Sequence, residues 1–442
     1  MRQHFLYKDV EIKIKVSYYT KYIKMKERNF KMNNILLDEA NRCLLCKKPR
    51  CKENCPIDTP IPDIINLYKE NRFKEAGEIL FNNNPLSAVC SLVCIHEDQC
   101  KGNCVRGIKG EPINFHDIEQ EISWKYLQET KFENVPKDKD RIAIIGGGPA
   151  GITIAFILAK KGYNITIFDA HVKIGGVLRY GIPEYRLPKN LIDTIEEKLI
   201  ELGVKIRPNT LIGPVITLDR LFEDGYKAAF IGTGVWNPKM LNIKGETFGN
   251  AHFAIDYLKS PEYYKLGEKV AIIGAGNVAM DAARSAKRNG AKEVTILYRK
   301  GFEDMSATKQ EIREAKEDGI IFNLFKSPIE ITEEGIKLAL TKNVTDEDGK
   351  VRTKTIEGKT EFFKCDSIII SVSQTPKSNI VSNTTELNTN RWGLLITDEK
   401  GNTTKKGTFA SGDVVTGAKT VVEAVFQAKI VAETIDDYCK NN

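Results

Sequence analysis

The spacing of apolar residues changes near residue 140. Before it, apolar positions recur at helical spacing. Residues 33–41 read as a helix running into Cys43, and Ile64, Ile65, Leu67, Tyr68, Ala76, Ile79 and Leu80 lay one apolar face along a helix over 61–80. Ile118–Leu127 reads as another helix, and the polar stretch Lys131–Asp140, carrying Pro136, as a linker. Beyond it come short continuous apolar runs, of the kind that strands buried on both faces require. Ile142–Ile145 and Asn164–Phe168 are two such runs, separated by glycines and an apolar helix ending near Lys160. The same grammar returns with Val270–Ile273, the turn Gly274–Ala279, a helix to Arg288, and Glu293–Tyr298. Two βαβ units predict an α/β protein with two doubly wound domains behind a helical N-terminal domain.

Composition adds bounds. The 442 residues, 41% hydrophobic and 28% charged, suit a globular chain of roughly two to four domains. The sequence contains no apolar run near the ~18 residues of a membrane span and no secretory signal pattern, so a cytoplasmic protein is expected. The net charge of +7 is mostly local. Residues 1–34 hold nine Lys or Arg against Asp9, Glu11 and Glu27, a basic arm that is either a solvated face or a dock for an acidic protein. Nucleic acid is not an expected partner, because no nucleic-acid module accompanies the charge.

The cysteines carry the first chemical signal. Eight of ten lie between Cys43 and Cys104, as Cys43, Cys46, Cys51 and Cys55-Pro56, then Cys90, Cys94, Cys100 and Cys104. In a reducing compartment such density points to metal ligands. Close spacing converges several thiolates on one core, as iron–sulfur clusters need. Paired structural zinc sites tolerate similar spacing, but would leave no outlet for electrons.

The glycine turns carry the second. In the first, Gly146 permits the tight turn and Gly148 a close backbone approach to a pyrophosphate. Gly151 allows close helix packing, while Pro149 and Ala150 open the helix whose N-terminus faces the phosphates. Asp169 ends the next strand, where a carboxylate binds ribose hydroxyls. The second turn has Gly274, Gly276, Asn277 and Ala279, and its following strand ends in Arg299 and Lys300. Basic residues there accommodate a 2′-phosphate, so NADPH is expected over NADH. Gly412 and Asp413 come after the strand-like Gly407–Ala410, with a helix starting near Thr420, and Gly234 ends a similar strand. These features assign the first domain to a flavin.

Taken together, the cysteine pattern, Gly146–Gly151, the run from Gly181 to Pro188, Gly274–Ala279 and Gly412-Asp413 resemble the small (β) subunit family of NADPH-dependent glutamate synthase. The large subunit of NADH-dependent ferredoxin:NADP oxidoreductase and the NAD(P)H-oxidising part of dihydropyrimidine dehydrogenase are as close. The resemblance covers residues 35–440. It implies a domain over 35–135 with two [4Fe–4S] clusters, an FAD-binding domain over 136–255 and 365–442, and an NADP(H)-binding domain over 256–364 inserted in it. One cluster would take Cys43, Cys46, Cys51 and Cys104. The other would take Cys55, Cys94, Cys100 and Glu119, with Gln120 as the alternative. Cys90, Cys365 and Cys439 receive no ligand role. Gly176 and Arg186 would line the flavin pocket. The implied activity passes a hydride from NADPH to FAD and single electrons through the clusters to a larger partner, with glutamate made from glutamine and 2-oxoglutarate. The alternatives are an electron-bifurcating ferredoxin:NADP oxidoreductase subunit or the input part of dihydropyrimidine dehydrogenase. No acid–base residue is expected. A thioredoxin-reductase-like reading fails, because neither 256–364 nor the helix 149–160 contains a cysteine.

Overall fold

The computed structural model describes residues 35–442, so the basic arm expected over 1–34 lies outside the described residues. The chain divides into two compact units between Glu129 and Thr130. This is earlier than the expected limit at 135/136, because the segment just after Glu129 packs within the second unit. The Phe132 ring lies 6.3 Å from that of Phe156, and its N–H donates to the Glu201 carboxylate at 2.9 Å.

The first unit is helical. A helix over 35–41 leads towards Cys43. The apolar run 61–80 forms two helices, Ile61–Lys69 and Phe73–Asn83. The break falls at Asn71, whose φ of +58° lies in the left-handed region. There the Arg72 N–H reaches back to the Leu67 carbonyl at 2.9 Å and closes the first helix. Apolar periodicity crosses the break because Ile64, Ile65, Tyr68, Ala76 and Leu80 enter one core with Ile118 and Ile122 of the helix Phe115–Glu129. Cys43, Cys51, Cys100 and Cys104 pack against this core.

Two parallel five-stranded sheets organise the second unit. The first has the order Thr408–Ala410, Tyr226–Ile231, Arg141–Ile145, Asn164–Phe168 and Lys205–Arg207. Its outermost strand arrives from near the C-terminus, after the chain has built the second sheet. That sheet runs Ala251–Phe253, Ser367–Ile370, Lys269–Ile273, Glu293–Tyr298 and Ile321–Leu324. Two of its strands fall outside 256–364, so those expected limits are too narrow. Ser367–Ile370 is fully buried and pairs with both Ala251–Phe253 and Lys269–Ile273, which fixes it in the inserted domain. An antiparallel sheet of Lys326–Thr332, Gly335–Thr345 and Val351–Lys364 was not expected. Ile331, Ile336 and Leu338 pack it against Ile368 and Ile370. Among the described residues no helix is long and apolar enough to cross a membrane.

The last helix, Val421–Asn441, is tied to the first domain by Asp436. Its buried carboxylate accepts hydrogen bonds from the Tyr163 hydroxyl (2.7 Å), the Lys161 ammonium (2.8 Å) and the Lys440 ammonium (2.9 Å). Burial alone would raise its pKa. The bonds from Lys161, Lys440 and Tyr163 outweigh that and hold the carboxyl well below the usual carboxylate range. Asp436→Ala leaves the buried Tyr163 hydroxyl short of its partner, and is expected to cost about 1–3 kcal/mol in denaturant unfolding at pH 7. A depressed carboxylate stabilises above its unfolded pKa of ~3.9 and loses that contribution as pH falls. The wild-type advantage should therefore shrink below about pH 4, and a gap independent of pH would contradict this role.

Candidate functional site

The first glycine turn brings a helix directly over a strand end. Gly146 has φ +99°, and a Cβ there would lie 2.6 Å from the Gly232 carbonyl oxygen. On Gly151 a Cβ would lie 2.1 Å from the Gly146 carbonyl oxygen. No side chain fits at either contact. The helix Pro149–Lys160 starts without a side-chain cap at Gly148, so its first N–H groups have no side-chain acceptor. A Cβ on Gly148 would meet only ordinary contacts, the nearest being the Gly232 carbonyl oxygen at 3.9 Å.

That helix start borders a cavity of about 470 Å³. Gly146, Gly148, Pro149, Ala150, Asp169, Gly176, Gly234, Gly412, Asp413 and Thr420, all singled out from sequence, line it. The Asp169 carboxylate is fixed by two backbone donors, Gly147 N–H on one oxygen and His171 N–H on the other, each at 2.8 Å. Asp413 accepts from the Lys419 N–H at 3.2 Å. Burial pushes its carboxyl up to about 6, with the Lys419 bond opposing and the Glu423 charge adding. Thr420 also caps the final helix. Its hydroxyl oxygen accepts from the Glu423 N–H, while the Glu423 carboxylate accepts from the Thr420 N–H at 3.0 Å. Sequence reasoning missed His171 and Trp236. The His171 ring stacks on Tyr180 at 4.5 Å and lies 5.3 Å from Trp236. Each stands two residues beyond a marked position, Asp169 or Gly234, and that offset was the available signal.

The second turn repeats the construction. Gly274 has φ +130°, and a Cβ there would lie 2.1 Å from the Ser371 carbonyl oxygen. The helix Asn277–Arg288 also starts without a side-chain cap, at Gly276, with Ala279 buried beneath. Asn277 serves the adjoining loop, its side-chain oxygen accepting the Thr308 N–H at 3.0 Å. Arg299 and Lys300 come directly after the strand Glu293–Tyr298, with the Lys300 ammonium 3.6 Å from Asp304.

Arg186 departs from its expected place. It is absent from the cavity lining. Its guanidinium instead bonds both carboxylate oxygens of Asp281 at 2.7–2.8 Å and pairs with Glu311. Two buried carboxylates claim the cation more strongly than an open cavity wall does. Neighbouring Tyr185 lies beneath the guanidinium groups of Arg284 (5.0 Å) and Arg288 (4.3 Å). The segment 181–188 thus fastens onto the helix Asn277–Arg288.

In the first unit, Cys43, Cys46, Cys51 and Cys104 line one small cavity of about 30 Å³. Leu45, at φ +46°, supplies the turn between the first two. Burial pushes the Cys51 thiol up to about 11, and the nearby Cys104 and Cys43 sulfurs add to it. Cys94 and Cys100 lie near Glu119, and Cys55 lies near Cys100. The Cys100 thiol is pushed up to about 12 by burial, then by the Glu119 and Cys55 charges. A hydrogen bond with buried Cys90, then burial, raises Cys94 well above the ordinary thiol range. Glu119 is buried and raised to about 7, against the lowering effect of the Ser87 hydroxyl that donates to it at 2.6 Å. Gln120 faces solvent, so of the two candidates only Glu119 is on the cysteine side. Among the described residues no group of three or more His, Cys, Asp or Glu is arranged to hold a metal ion. Four soft donors around one cavity fit a cluster in kind.

Two uncapped helix starts, a nucleotide-sized cavity and converging thiols define a two-domain flavoprotein oxidoreductase with an iron–sulfur module. Residues 140–428 match the family described as pyridine nucleotide-disulphide oxidoreductase. Residues 20–131 match dihydropyrimidine dehydrogenase domain II, 4Fe-4S cluster, and so reach further towards the N-terminus than 35. The chain is 31% identical over 430 residues to the glutamate synthase (NADPH) small chain of Halomonas elongata, covering 90% of each. It is 32% identical over 426 residues to the NADP(+)-dependent formate dehydrogenase subunit beta of Moorella thermoacetica, covering 88% of this chain and 60% of that one. Mycobacterium tuberculosis FprA in complex with NADPH shares the fold over 69% of this chain and 85% of its own, with a TM-score of 0.58 at 20% identity. The chain belongs to the pyridine nucleotide-disulphide oxidoreductase family, with the glutamate synthase small chains among its relatives, and is an NADPH-dependent FAD and iron–sulfur oxidoreductase.

Asp413→Asn separates a binding role from a structural one. A carboxylate raised to about 6 destabilises the folded apoprotein above that pH, and the penalty vanishes below the unfolded value of ~3.9. The variant apoprotein should therefore be more stable by about 2–3 kcal/mol at pH 7 while retaining less FAD. Full flavin retention would remove Asp413 from the site. For the second cysteine set, Glu119→Ala should lower bound iron and alter one cluster's EPR signal, whereas Gln120→Ala should match the wild type. The opposite pattern would assign Gln120.

Proposed function

We propose that this chain is the NADPH-oxidising subunit of a larger electron-transfer enzyme whose output is glutamate, made from glutamine and 2-oxoglutarate. The observation that carries this reading is the match to a glutamate synthase small chain over 90% of both sequences. Gly148 and the start of Pro149–Lys160 would meet the FAD pyrophosphate. Asp169, with lone pairs left beyond its two backbone bonds, would accept from ribose hydroxyls. Asp413, Gly412, Gly176, Gly234 and Thr420 would hold the rest of that cofactor. NADPH would lie over Gly274, Gly276 and Ala279, with Arg299 and Lys300 on its 2′-phosphate. Asn277 would contribute its backbone, since its side chain is engaged by Thr308.

One cluster would rest on Cys43, Cys46, Cys51 and Cys104, the other on Cys55, Cys94, Cys100 and Glu119. When bound, FAD supplies a hydride acceptor that gives up electrons singly, and the clusters carry them onward. The residues supply position and potential, so no acid–base group is assigned. The place of action is the cytoplasm.

The formate dehydrogenase relative supports a second reading, in which the same module serves another partner. That relative is longer than this chain, which spans 60% of it. Ferredoxin-linked bifurcation and pyrimidine reduction remain within that second reading. Anaerobic purification from the native host distinguishes them. A co-purifying large subunit that forms glutamate supports the first, and a formate-, ferredoxin- or pyrimidine-linked partner overturns it. For the nicotinamide site, Arg299→Ala should lower kcat/KM for NADPH at least about tenfold relative to NADH, about 1.4 kcal/mol. An unchanged ratio would take the 2′-phosphate away from Arg299.

A further inference from the structure

The turn that gathers the first cysteine set also pushes apolar side chains outwards. With Leu45 at φ +46°, Cys43 and Cys46 face the same cavity, while Leu44 and Leu45 remain 58% and 39% exposed. Burial gives these leucines little reason to be apolar. Basic residues come at once after them. Lys47, Lys48, Arg50 and Lys52 stand against Glu53 alone within 44–53, and none of the four is in an ion pair among the described residues. Val105 and Arg106 line the same cavity. The turn Val105–Ile108 ends in Ile108, which is 65% exposed.

We infer that this rim is the docking surface for an acidic protein that takes single electrons from the first cysteine set's cluster. The inference rests on the proposed electron-transfer reading. Unpaired positive charge around a small apolar centre steers and orients a negatively charged protein, and the leucines exclude water once it is seated. Leu44, Arg50 and Arg106 of this rim also line the cysteine cavity, so a protein docked there lies next to the electron source. Each NADPH oxidised to NADP⁺ yields two electrons and releases one proton, so two molecules of a one-electron acceptor are reduced per NADPH.

The test uses the anaerobic holoenzyme, with an acidic ferredoxin as probe and cytochrome c, a basic protein, as the opposite-charge control. Binding is measured by calorimetry across a salt series, alongside FAD and iron content and NADPH–ferricyanide turnover. Lys47→Glu/Lys48→Glu should weaken ferredoxin binding about tenfold or more at low salt and flatten its salt dependence. Ile108→Ser should weaken binding while leaving the salt slope intact. Cofactor content and ferricyanide turnover should stay at wild-type values in both. Ferredoxin affinity unchanged in both variants, or cytochrome c binding the wild type as tightly as ferredoxin does, would overturn the docking surface. Loss of ferricyanide turnover in the cofactor-replete wild type would instead overturn the electron-transfer reading beneath it.

Discussion

Twice in this chain a helix begins just beyond the end of a parallel strand, at a glycine turn packed too tightly for a side chain. A Cβ on Gly151, in the first helix, would lie 2.1 Å from the Gly146 carbonyl oxygen, and one on Gly274, in the turn before the second helix, 2.1 Å from the Ser371 carbonyl oxygen. Such closeness leaves the first N–H groups of two helices uncapped by any side chain and carrying the positive end of the helix dipole. The buried parallel strands hold those helix starts in place. Asp169 and Asp413 reach the first start's cavity from the ends of other strands of the same sheet. A fold with this constraint met twice presents two nucleotide sites in one unit.

The first unit solves a different problem. Its core is small, and four cysteines pack against it. Burial raises the Cys51 and Cys100 thiols, so without metal they stay protonated and contribute as weak apolar groups. Metal ligation needs the thiolate, which couples cluster assembly to the folding of this unit. Glu119 stands in the same position among the second set, buried and costly to ionise until a cation offsets it.

Much of this was legible because glycine spacing and strand period are local. The turns Gly146–Gly151 and Gly274–Ala279, their flanking strands and the helix cap at Thr420 are set by neighbouring residues. The features that sequence concealed depend on distant ones. Arg186 was placed in the flavin pocket because its partners Asp281 and Glu311 lie far along the chain, and no local pattern announces them. Ser367–Ile370 was assigned to the first domain, although its pairing with Ala251–Phe253 puts it in the second. The break at Asn71 was hidden because both helices face one core, so apolar periodicity continued through it. Gln120 stood as the alternative to Glu119 because the two are adjacent in sequence, and in the fold Glu119 is buried while Gln120 is exposed.

On this account one chain holds a flavin and two iron–sulfur clusters. Iron, acid-labile sulfide, zinc and flavin content of anaerobically purified protein tests it most directly. About eight iron and eight sulfide per chain, with one FAD and negligible zinc, is the predicted result. Zinc in place of iron, or iron-replete protein without flavin, would contradict it.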